Sequence, residues 1–291
     1  MSEIVSIPIA VWDQPGSASD RETALRALES GNVLYFPQLR FPVDDAERAL
    51  LSPAVAANRK NVSFDAARGR LRGSSAGDAE LQLLQGMMQR FAGSTETLLH
   101  NFLPRYQDGL QPGRTSFRPA EIAGRQTSWR KDDTRLHVDS FPSSPVRGKR
   151  ILRVFSNINP HGQGRTWRLG ESFENVARRY LPSLPPPVWG VSPLLELLGI
   201  TKGRRSAYDH FMLQLHDRMK LDADYQAAAE QIVFEFHAGS TWMVFTDQVP
   251  HAAMQGQYAL EQTFYLPDAC MQDASRAPLQ ILQRLSGRVL V

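Results

Sequence analysis

The sequence has little of several features that define whole classes of protein. It contains a single cysteine, Cys270, in 291 residues, which excludes a disulfide framework and thiolate-rich zinc or iron–sulfur sites. Long apolar runs are missing too: the run after Glu3 is broken by Asp13 and Pro15, and the longest uncharged stretch, residues 180–195, contains five prolines. We therefore expect no signal peptide, no membrane-spanning helix and a cytoplasmic location, where thiols stay reduced.

The rest of the composition is typical of a folded globular protein. Hydrophobic residues make up 42% of the chain, charged residues 22%, and the formal net charge is only +3. This length suits one large domain, so we predict a single domain over residues 1–291. Within it we predict an N-terminal α/β cover over 1–114, a strand-rich barrel core over 115–170 and 232–267, and a helical insertion over 171–231.

Two separated fragments, His137-Val138-Asp139 and His251, supply two imidazoles and one carboxylate. This set holds a non-haem Fe(II) on one face and leaves the opposite face open for O2 chemistry. On an extended strand residues i and i+2 point the same way, whereas on a helix they would be about 200° apart. Residues 129–138 are predicted to be extended, and Pro250 fixes the chain before His251. This layout is typical of an α+β oxygenase with a double-stranded β-helix (jelly-roll or cupin-like) core.

The alternative for the first fragment is a surface histidine hydrogen-bonded to a neighbouring carboxylate. The other histidines, among them His210 and His216, are predicted to be structural or exposed, because residues six apart on a helix do not face one ion.

An iron centre of this kind most often uses a 2-oxoacid, whose distal carboxylate requires a cation, and arginine binds carboxylates bidentately. Residues 252–275, where such an arginine is commonly found, contain no Arg or Lys. The strand that begins at Arg150 is the best substitute. Alternation places Arg153 and Asn157 on one face and Arg150 on the other. We predict that Arg153 binds the oxoacid with Asn157 as a neutral partner, and that Arg150 or Arg276 is the fallback.

Basic residues cluster on both sides of the metal fragment, and a further group, Lys202, Arg204 and Arg205, follows a leucine-rich stretch at 194–198. No zinc-finger, helix-turn-helix or RNA-binding motif accompanies them, so we expect no nucleic acid partner. Acidic small molecules or phosphorylated glycolipids suit these charges. The leucines and the following cations are predicted either to touch an anionic membrane surface or to be ordinary core and solvated residues.

Longer motifs resemble those of the Kdo hydroxylase family. They cover most of residues 100–267 and consist of SFRP at 116–119, DTRLHVDSFP at 133–142, the segment 150–160, RTW at 165–167 and GESFE at 170–174. The resemblance implies an enzyme that uses Fe(II), 2-oxoglutarate and O2 to hydroxylate C-3 of 3-deoxy-D-manno-oct-2-ulosonic acid (Kdo) in the inner core of lipopolysaccharide. In this resemblance the metal positions match His137, Asp139 and His251.

The implied substrate is a Kdo-bearing lipid A precursor at the cytoplasmic face of the inner membrane, reached by peripheral contact with the anionic surface. We expect its sugar acid to be bound by basic and aromatic side chains near the metal fragment: Arg118, Arg130, Lys131, Arg165 and Trp167. Two alternatives stay open at this point. One is an oxygenase of the same fold that acts on a free small acid or a protein side chain, and the other is a non-catalytic barrel that binds an anionic glycolipid or nucleic acid.

Overall fold

The computed structural model describes residues 1–57, 59–188 and 190–291, which form eleven strands and seven helices. The strands are β1 (Ile4–Ser6), β2 (Val33–Phe36), β3 (Val62–Asp65), β4 (Arg70–Arg72), β5 (Gln111–Arg118), β6 (Arg150–Asn157), β7 (Arg165–Leu169), β8 (Ile232–Phe236), β9 (Thr241–Phe245), β10 (His251–Gln255) and β11 (Ala259–Leu266). The helices are α1 (Ala18–Glu29), α2 (Asp78–Phe102), α3 (Phe173–Tyr180), α4 (Val191–Leu197), α5 (Ala207–Leu221), α6 (Ala223–Ala228) and α7 (Pro278–Ser286).

The strands form two sheets. The larger sheet has eight strands in the order β1-β2-β9-β6-β11-β5-β3-β4, and the smaller has three in the order β10-β7-β8. Within the larger sheet β1 pairs with β2 in parallel and the other pairs are antiparallel. The protein is therefore a mixed α and β protein built on a large sheet.

An aromatic layer joins the two sheets. Phe155 of β6 and Trp242 of β9 point inward from the larger sheet, and Trp167 of β7 and Phe236 of β8 point inward from the smaller one. The Phe155 and Trp242 rings are stacked with centroids 5.2 Å apart, and Trp167 meets Trp242 edge-on at 5.6 Å. Because buried rings combine a large apolar area with restricted geometry, this layer fixes the spacing of the sheets.

The alternation predicted for β6 is confirmed. Leu152 and Val154 pack on the outer face of the larger sheet, against a core that includes α1 and α2. Phe155 packs on the inner face, in the aromatic layer. Arg153 therefore faces the space between the sheets, and Arg150 lies on the opposite face.

The prediction that residues 129–138 are extended is wrong for most of that segment. Trp129–Lys131 forms a short 3₁₀ helix, and only His137 makes a β-bridge, with His251. The reason is a partner distant in sequence. The Leu136 amide N–H donates to Gln226 Oε1 at 2.8 Å, and Gln226 Nε2 donates to the Leu136 carbonyl at 2.9 Å, so a side chain from α6 takes the place of a neighbouring strand.

The N-terminal and helical segments differ in how they meet the sheets. The first 114 residues contribute β1 to β4 and the start of β5 to the larger sheet, in addition to α1 and α2. Helices α3 to α6 all lie between residues 171 and 231, where the helical insertion was predicted. Within the described residues, none of the helices is both long and apolar enough to cross a bilayer.

Candidate active site

Three side chains from the two predicted fragments meet between the sheets. One ligand atom each from His137, Asp139 and His251 lies within 4.8 Å of the other two. His137 Nε2 is 3.9 Å from Asp139 Oδ1, and the two imidazole centroids are 4.7 Å apart. All three residues are largely buried: the side chains of His137 and Asp139 are 8% and 12% exposed, and His251 as a whole residue is 5% exposed. The alternative of a surface histidine bonded to a carboxylate is therefore wrong.

The backbone holds these residues in register. The amide N–H of His137 donates to the carbonyl of His251 at 3.1 Å, and the amide N–H of His251 donates to the carbonyl of His137 at 2.9 Å. The Asp139 amide N–H donates to the Thr246 carbonyl at 2.8 Å. Residues 137–139 are therefore extended, and the side chains of His137 and Asp139 turn to the same side, as the i, i+2 spacing predicts.

Each histidine has one ring nitrogen already engaged. His137 Nδ1 lies 2.7 Å from the Arg135 carbonyl, and His251 Nδ1 lies 2.8 Å from the Val249 carbonyl. A carbonyl only accepts, so each Nδ1 carries the proton and each Nε2 presents a lone pair. Metal-binding histidines are commonly oriented in this way, with the second nitrogen donating to a fixed oxygen.

The electrostatics favour neutral imidazoles beside an ionised carboxylate. Burial lowers the pKa of both His137 and His251 below the usual range, and for His137 the neighbouring His251 and Lys220 lower it further. Burial alone would raise the pKa of Asp139, but Arg153, His251 and His137 hold it below its usual value. Neutral imidazole nitrogen and carboxylate oxygen are the forms that bind a divalent metal.

Aromatic neighbours hold the two imidazole rings in place. Trp167 stacks on His251 with ring centroids 5.2 Å apart and 21° between the planes, and His216 meets His137 edge-on at 5.4 Å. Trp167 is only 2% exposed. Its predicted role in substrate binding is therefore wrong, because the ring is enclosed in the aromatic layer and supports a histidine instead. His216 packs against His137 and is not one of the three clustered residues.

A buried ion-pair network continues from Asp139 across the larger sheet. Arg153 Nη1 lies 3.2 Å from Asp139 Oδ2 and 3.4 Å from Glu261 Oε1. Arg118 donates to Glu261 Oε2 through Nε at 2.7 Å, and its Nη2 lies 2.6 Å from the same oxygen. Burial alone would raise the pKa of Glu261, but Arg118 and Arg153 keep it below its usual value. Glu261 thus fixes two arginines beside the three-residue cluster.

In this ion-pair network the arginines outnumber the carboxylates that pair with them. Arg165 is 4% exposed and donates to the Gly256 carbonyl at 3.1 Å, yet it forms no ion pair in the described part of the chain. Burial lowers the pKa of Arg165 to about 10, and the nearby Arg118 lowers it too. The Nε atoms of Arg153 and Arg165 are buried and have no hydrogen-bond acceptor among the residues that the structure describes. Unpaired buried donors on cations are costly, so an anion that bound both arginines would lower that cost.

Three other predicted cofactor residues do not reach this place. Arg150 is fully buried and bonded to Asp247 and Gln248, with its guanidinium 3.9 Å from the centre of the Phe245 ring. The side-chain amide of Asn157 is hydrogen-bonded to backbone groups: it donates to the carbonyls of Gln163 and Phe236 and accepts from the Asn159 N–H. Arg276 is near the surface and pairs with Asp273. All three predictions are wrong, because local structural partners occupy these side chains.

A cleft of about 1130 Å³ opens beside the network and includes Arg118, Arg153 and Glu261 in its wall. Seven cations line it against three carboxylates, so its charge is strongly positive. Five of the seven form no ion pair within residues 1–57, 59–188 and 190–291: Arg72, Arg114, Arg147, Lys149 and Lys202. Of the five predicted substrate residues, only Arg118 lines this cleft; Arg165 and Trp167 are buried outside its wall, and the other two lie at the surface. Arg130 packs on Trp129 and pairs with Asp217 at the surface, and Lys131 is exposed beside it, so neither lines the cleft.

No motif pointed to Glu261, the residue that pairs with both Arg118 and Arg153. A lone carboxylate in the buried strand β11 is the one signal that was available, because an unpaired charge is rarely buried. Lys60 and Asp133 were missed too: they form an ion pair in this region, and burial lowers the pKa of Lys60 to about 8.

Comparisons with known proteins agree with this geometry. A family model described as 3-deoxy-D-manno-oct-2-ulosonic acid (Kdo) hydroxylase matches residues 11–289. The structure resembles that of the Kdo hydroxylase KdoO, a non-heme Fe(II) alphaketoglutarate dependent dioxygenase, in complex with alphaketoglutarate and Fe(III), at 48% identity and a TM-score of 0.96, covering 100% of this chain and 98% of that one. The cobalt(II) complex of KdoO gives 49% identity, a TM-score of 0.97 and coverage of 99% and 97%. The comparison with curated proteins gives no match.

Proposed function

The chain belongs to the Kdo hydroxylase family and is an Fe(II)/2-oxoglutarate-dependent dioxygenase, and from this premise we propose that it hydroxylates C-3 of Kdo in a Kdo-bearing lipid A precursor. The observation that carries the proposal is a buried cluster of two histidines and one carboxylate beside a cleft lined by cations. The cluster has the ligands of a non-haem iron, and the cleft has the charge that an acidic sugar on a phosphorylated lipid requires.

We propose that Nε2 of His137, Nε2 of His251 and a carboxylate oxygen of Asp139 hold the iron. Two observations support this assignment: both Nδ1 atoms are already engaged with carbonyls, and Asp139 Oδ1 lies 3.9 Å from His137 Nε2 while Oδ2 pairs with Arg153. Iron with 2-oxoglutarate and O2 supplies the oxidation, in which one oxygen atom enters the substrate C–H bond and the other leaves in succinate, with release of CO2. The chain's own contribution is to orient the ligands and to keep water from the buried site.

We propose that the 2-oxoglutarate carboxylate distal to the metal is bound by Arg153 together with Arg165. Both guanidinium groups are buried, and in the described part of the chain each has an Nε donor without a partner. A dicarboxylate satisfies both donors and offsets the unpaired charge of Arg165. Glu261 positions Arg153 for this contact through its ion pair with Nη1.

The cleft is the proposed site of the sugar acid. We expect Arg118, which Glu261 holds, to contact the Kdo carboxylate, and the five cations that form no ion pair among the described residues to contact lipid A phosphates. Desolvation lowers the pKa of Lys202, and the neighbouring Arg114 and Arg68 lower it further, so positive charges lie close together at the cleft. A free sugar acid would use only the inner part of such a cleft.

The proposed architecture follows the same reasoning. We propose that the two facing sheets form a double-stranded β-helix, that residues 115–170 and 232–267 are its core, and that 1–114 and 171–231 are additions to one domain. Because the substrate is anchored by acyl chains, we also propose that the protein works in the cytoplasm in peripheral contact with the inner membrane.

The test is a reaction of the purified protein with Fe(II), 2-oxoglutarate, O2 and Kdo-bearing lipid A, followed by mass spectrometry of the lipid and quantification of succinate. We expect one added oxygen atom on the Kdo residue and one succinate for each hydroxylation. The His251→Ala variant is the control for background oxidation. Equal turnover of free Kdo would favour a free sugar acid as the substrate, and succinate formation without oxidation of either compound would overturn the substrate assignment.

A further inference from the structure

An exposed aliphatic surface surrounds helix α4. Of the thirteen large hydrophobic residues that are exposed in the described part of the chain, six lie within residues 188–200. Leu197 is 83% exposed and Leu198 is 61% exposed, which are high values for leucine. The complete set, which we call the α4 surface, is Val188, Val191, Leu194, Leu197, Leu198 and Ile200. Contiguous exposed apolar side chains of this kind mark interaction sites.

The exposure belongs to a folded element that is tied to its surroundings. Ser192 Oγ donates to the Arg205 carbonyl at 2.9 Å, and the amides of Ile200 and Thr201 both donate to the Leu195 carbonyl. Leu195 is partly buried, so this residue faces the protein. The helix thus presents its other leucines outward in a fixed arrangement, and the alternative that all of these leucines pack into the core is wrong.

Cations follow the α4 surface directly. Lys202 is exposed, and the Arg204 side chain is 71% exposed while pairing with Glu196 at 3.1 Å. Arg147 Nε donates to the Arg204 carbonyl at 3.1 Å, which adds a third positive charge close by. Glu196 is the carboxylate of this group, so the balance is positive. The aliphatic α4 surface with cations beside it suits the boundary between lipid headgroups and acyl chains.

The α4 surface is continuous with the cleft. Lys202, Gly203 and Arg147 line the cleft wall, and the Lys202 amide N–H donates to the carbonyl of Ser143, another wall residue. Any flat partner that contacts the α4 surface would therefore lie close to one side of the cleft.

We infer that the α4 surface is a docking element for an anionic lipid bilayer, in which its aliphatic side chains enter the headgroup region while Lys202 and Arg204 meet lipid phosphates. The inference rests on the proposed function for its purpose, because docking here brings the cleft to a lipid-anchored sugar. A second copy of the chain fits less well as the occupant. A symmetric interface would place the same patch on both subunits and so bring Lys202, Arg204 and Arg147 toward their own counterparts.

Flotation with vesicles tests the inference without measuring catalysis. The full-length protein is mixed with vesicles of phosphatidylglycerol and phosphatidylcholine, or of phosphatidylcholine alone, at low and high salt. We expect binding to the anionic vesicles that weakens as salt is added. The double variant Leu197→Ser, Leu198→Ser should bind about tenfold less or weaker still, because two aliphatic side chains no longer leave water. The variant Val233→Ser is a matched control, since Val233 is 66% exposed on β8, outside the α4 surface.

Activity assays separate this inference from the proposed function. The double variant should hydroxylate substrate dispersed in detergent like the unchanged protein and lose activity on substrate in vesicles. Unchanged vesicle binding by the double variant would overturn the docking inference. So would a dimer of the unchanged protein, seen by analytical ultracentrifugation, that the double variant abolishes, because the α4 surface would then bind a second copy. If the unchanged protein binds vesicles but oxidises no Kdo lipid, docking stands and the proposed substrate fails.

Discussion

His137 and His251 exchange a pair of backbone hydrogen bonds, of 3.1 Å and 2.9 Å, and each also uses its own Nδ1 on the carbonyl two residues before it. The two residues are therefore equivalent in local geometry although they are distant in sequence. One pairing fixes their separation, and the two Nδ1 contacts fix the ring orientations. Asp139 then reaches the same point because it lies two residues after His137 on an extended chain.

Removing any one of these three side chains should abolish metal binding. We expect His137→Ala, Asp139→Ala and His251→Ala each to weaken Fe(II) or Co(II) binding more than about a hundredfold, since loss of an outer partner alone costs 10–100-fold. Titration calorimetry measures the affinity, and circular dichroism checks the fold. His161→Ala, at an exposed turn, is the control. Near-normal affinity in one of the three variants would remove that residue from the metal site.

Arg153 and Arg165 should determine the affinity for 2-oxoglutarate. Replacing either with Leu is expected to cost on the order of 2–5 kcal/mol of binding, because a buried charged contact is lost. The measurement is the 2-oxoglutarate dissociation constant of the metal-loaded protein, with Arg276→Leu as the control because Arg276 pairs with Asp273 near the surface. Unchanged affinity in the Arg153 and Arg165 variants would place the oxoacid elsewhere.

Arg150 should contribute to stability and not to cofactor binding. Arg150→Met leaves Asp247 as an unpaired buried carboxylate, and burial already raises the pKa of Asp247 despite Arg150. We expect a loss of about 3–5 kcal/mol in the free energy of unfolding, measured with urea. The double variant Arg150→Met, Asp247→Leu should recover much of this loss, since neither charge is then buried alone. A large change in 2-oxoglutarate affinity without a loss of stability would contradict this role.

The ion pair between Glu47 and Arg90 should make stability depend on acid pH. Burial alone would raise the pKa of Glu47, but Arg90 and the backbone N–H of Asp44 hold it below 4.5. A carboxyl whose pKa is lowered by folding stabilises the protein above its unfolded pKa and loses that effect as pH falls through the folded value. Glu47→Gln should therefore cost about 1 kcal/mol at pH 7, and the difference should vanish below the folded pKa.

Urea unfolding of both proteins across this pH range is the measurement for Glu47. Glu22→Gln is the matched control, because Glu22 and Arg26 form an exposed pair of the kind that contributes little. A difference between Glu47→Gln and the unchanged protein that stays constant down to the lowest pH would show that the charge of Glu47 is not responsible.

Sequence reasoning succeeded where chemistry or local periodicity decides the answer. Few residue types bind iron, so His137, Asp139 and His251 stood out, and strand alternation placed Arg153 on the inner face correctly. It failed where the structure around a residue depends on a partner that is distant in sequence. Gln226 takes the place of a strand beside Leu136, and Glu261 reaches Arg118 across 143 positions of sequence. The prediction for Asn157 failed because the adjacent turn engages its side-chain amide, although strand alternation places Asn157 on the inner face.

The outer part of the cleft should distinguish a phosphorylated lipid from a free sugar acid. Arg114 and Lys149 line the cleft, and their side chains donate to neutral groups, Ser63 Oγ at 3.4 Å and Gln111 Oε1 at 2.7 Å. The positive charges of Arg114 and Lys149 are therefore not neutralised by these partners and can interact with lipid phosphates. We expect the double variant Arg114→Ser, Lys149→Ser to raise KM for Kdo-bearing lipid A about thirtyfold, from a loss of roughly 1 kcal/mol at each position.

The same double variant should leave kcat on the lipid and turnover of free Kdo unchanged, because free Kdo has no phosphate to contact Arg114 or Lys149. Arg218→Ser, an exposed cation on α5 outside the cleft, controls for a general change in net charge. Added salt should raise KM for the lipid in the unchanged protein and raise it less in the variant, since fewer charged contacts are left to screen. An equal rise of KM for the lipid and for free Kdo would mean that these cations act on the Kdo carboxylate instead of the phosphates.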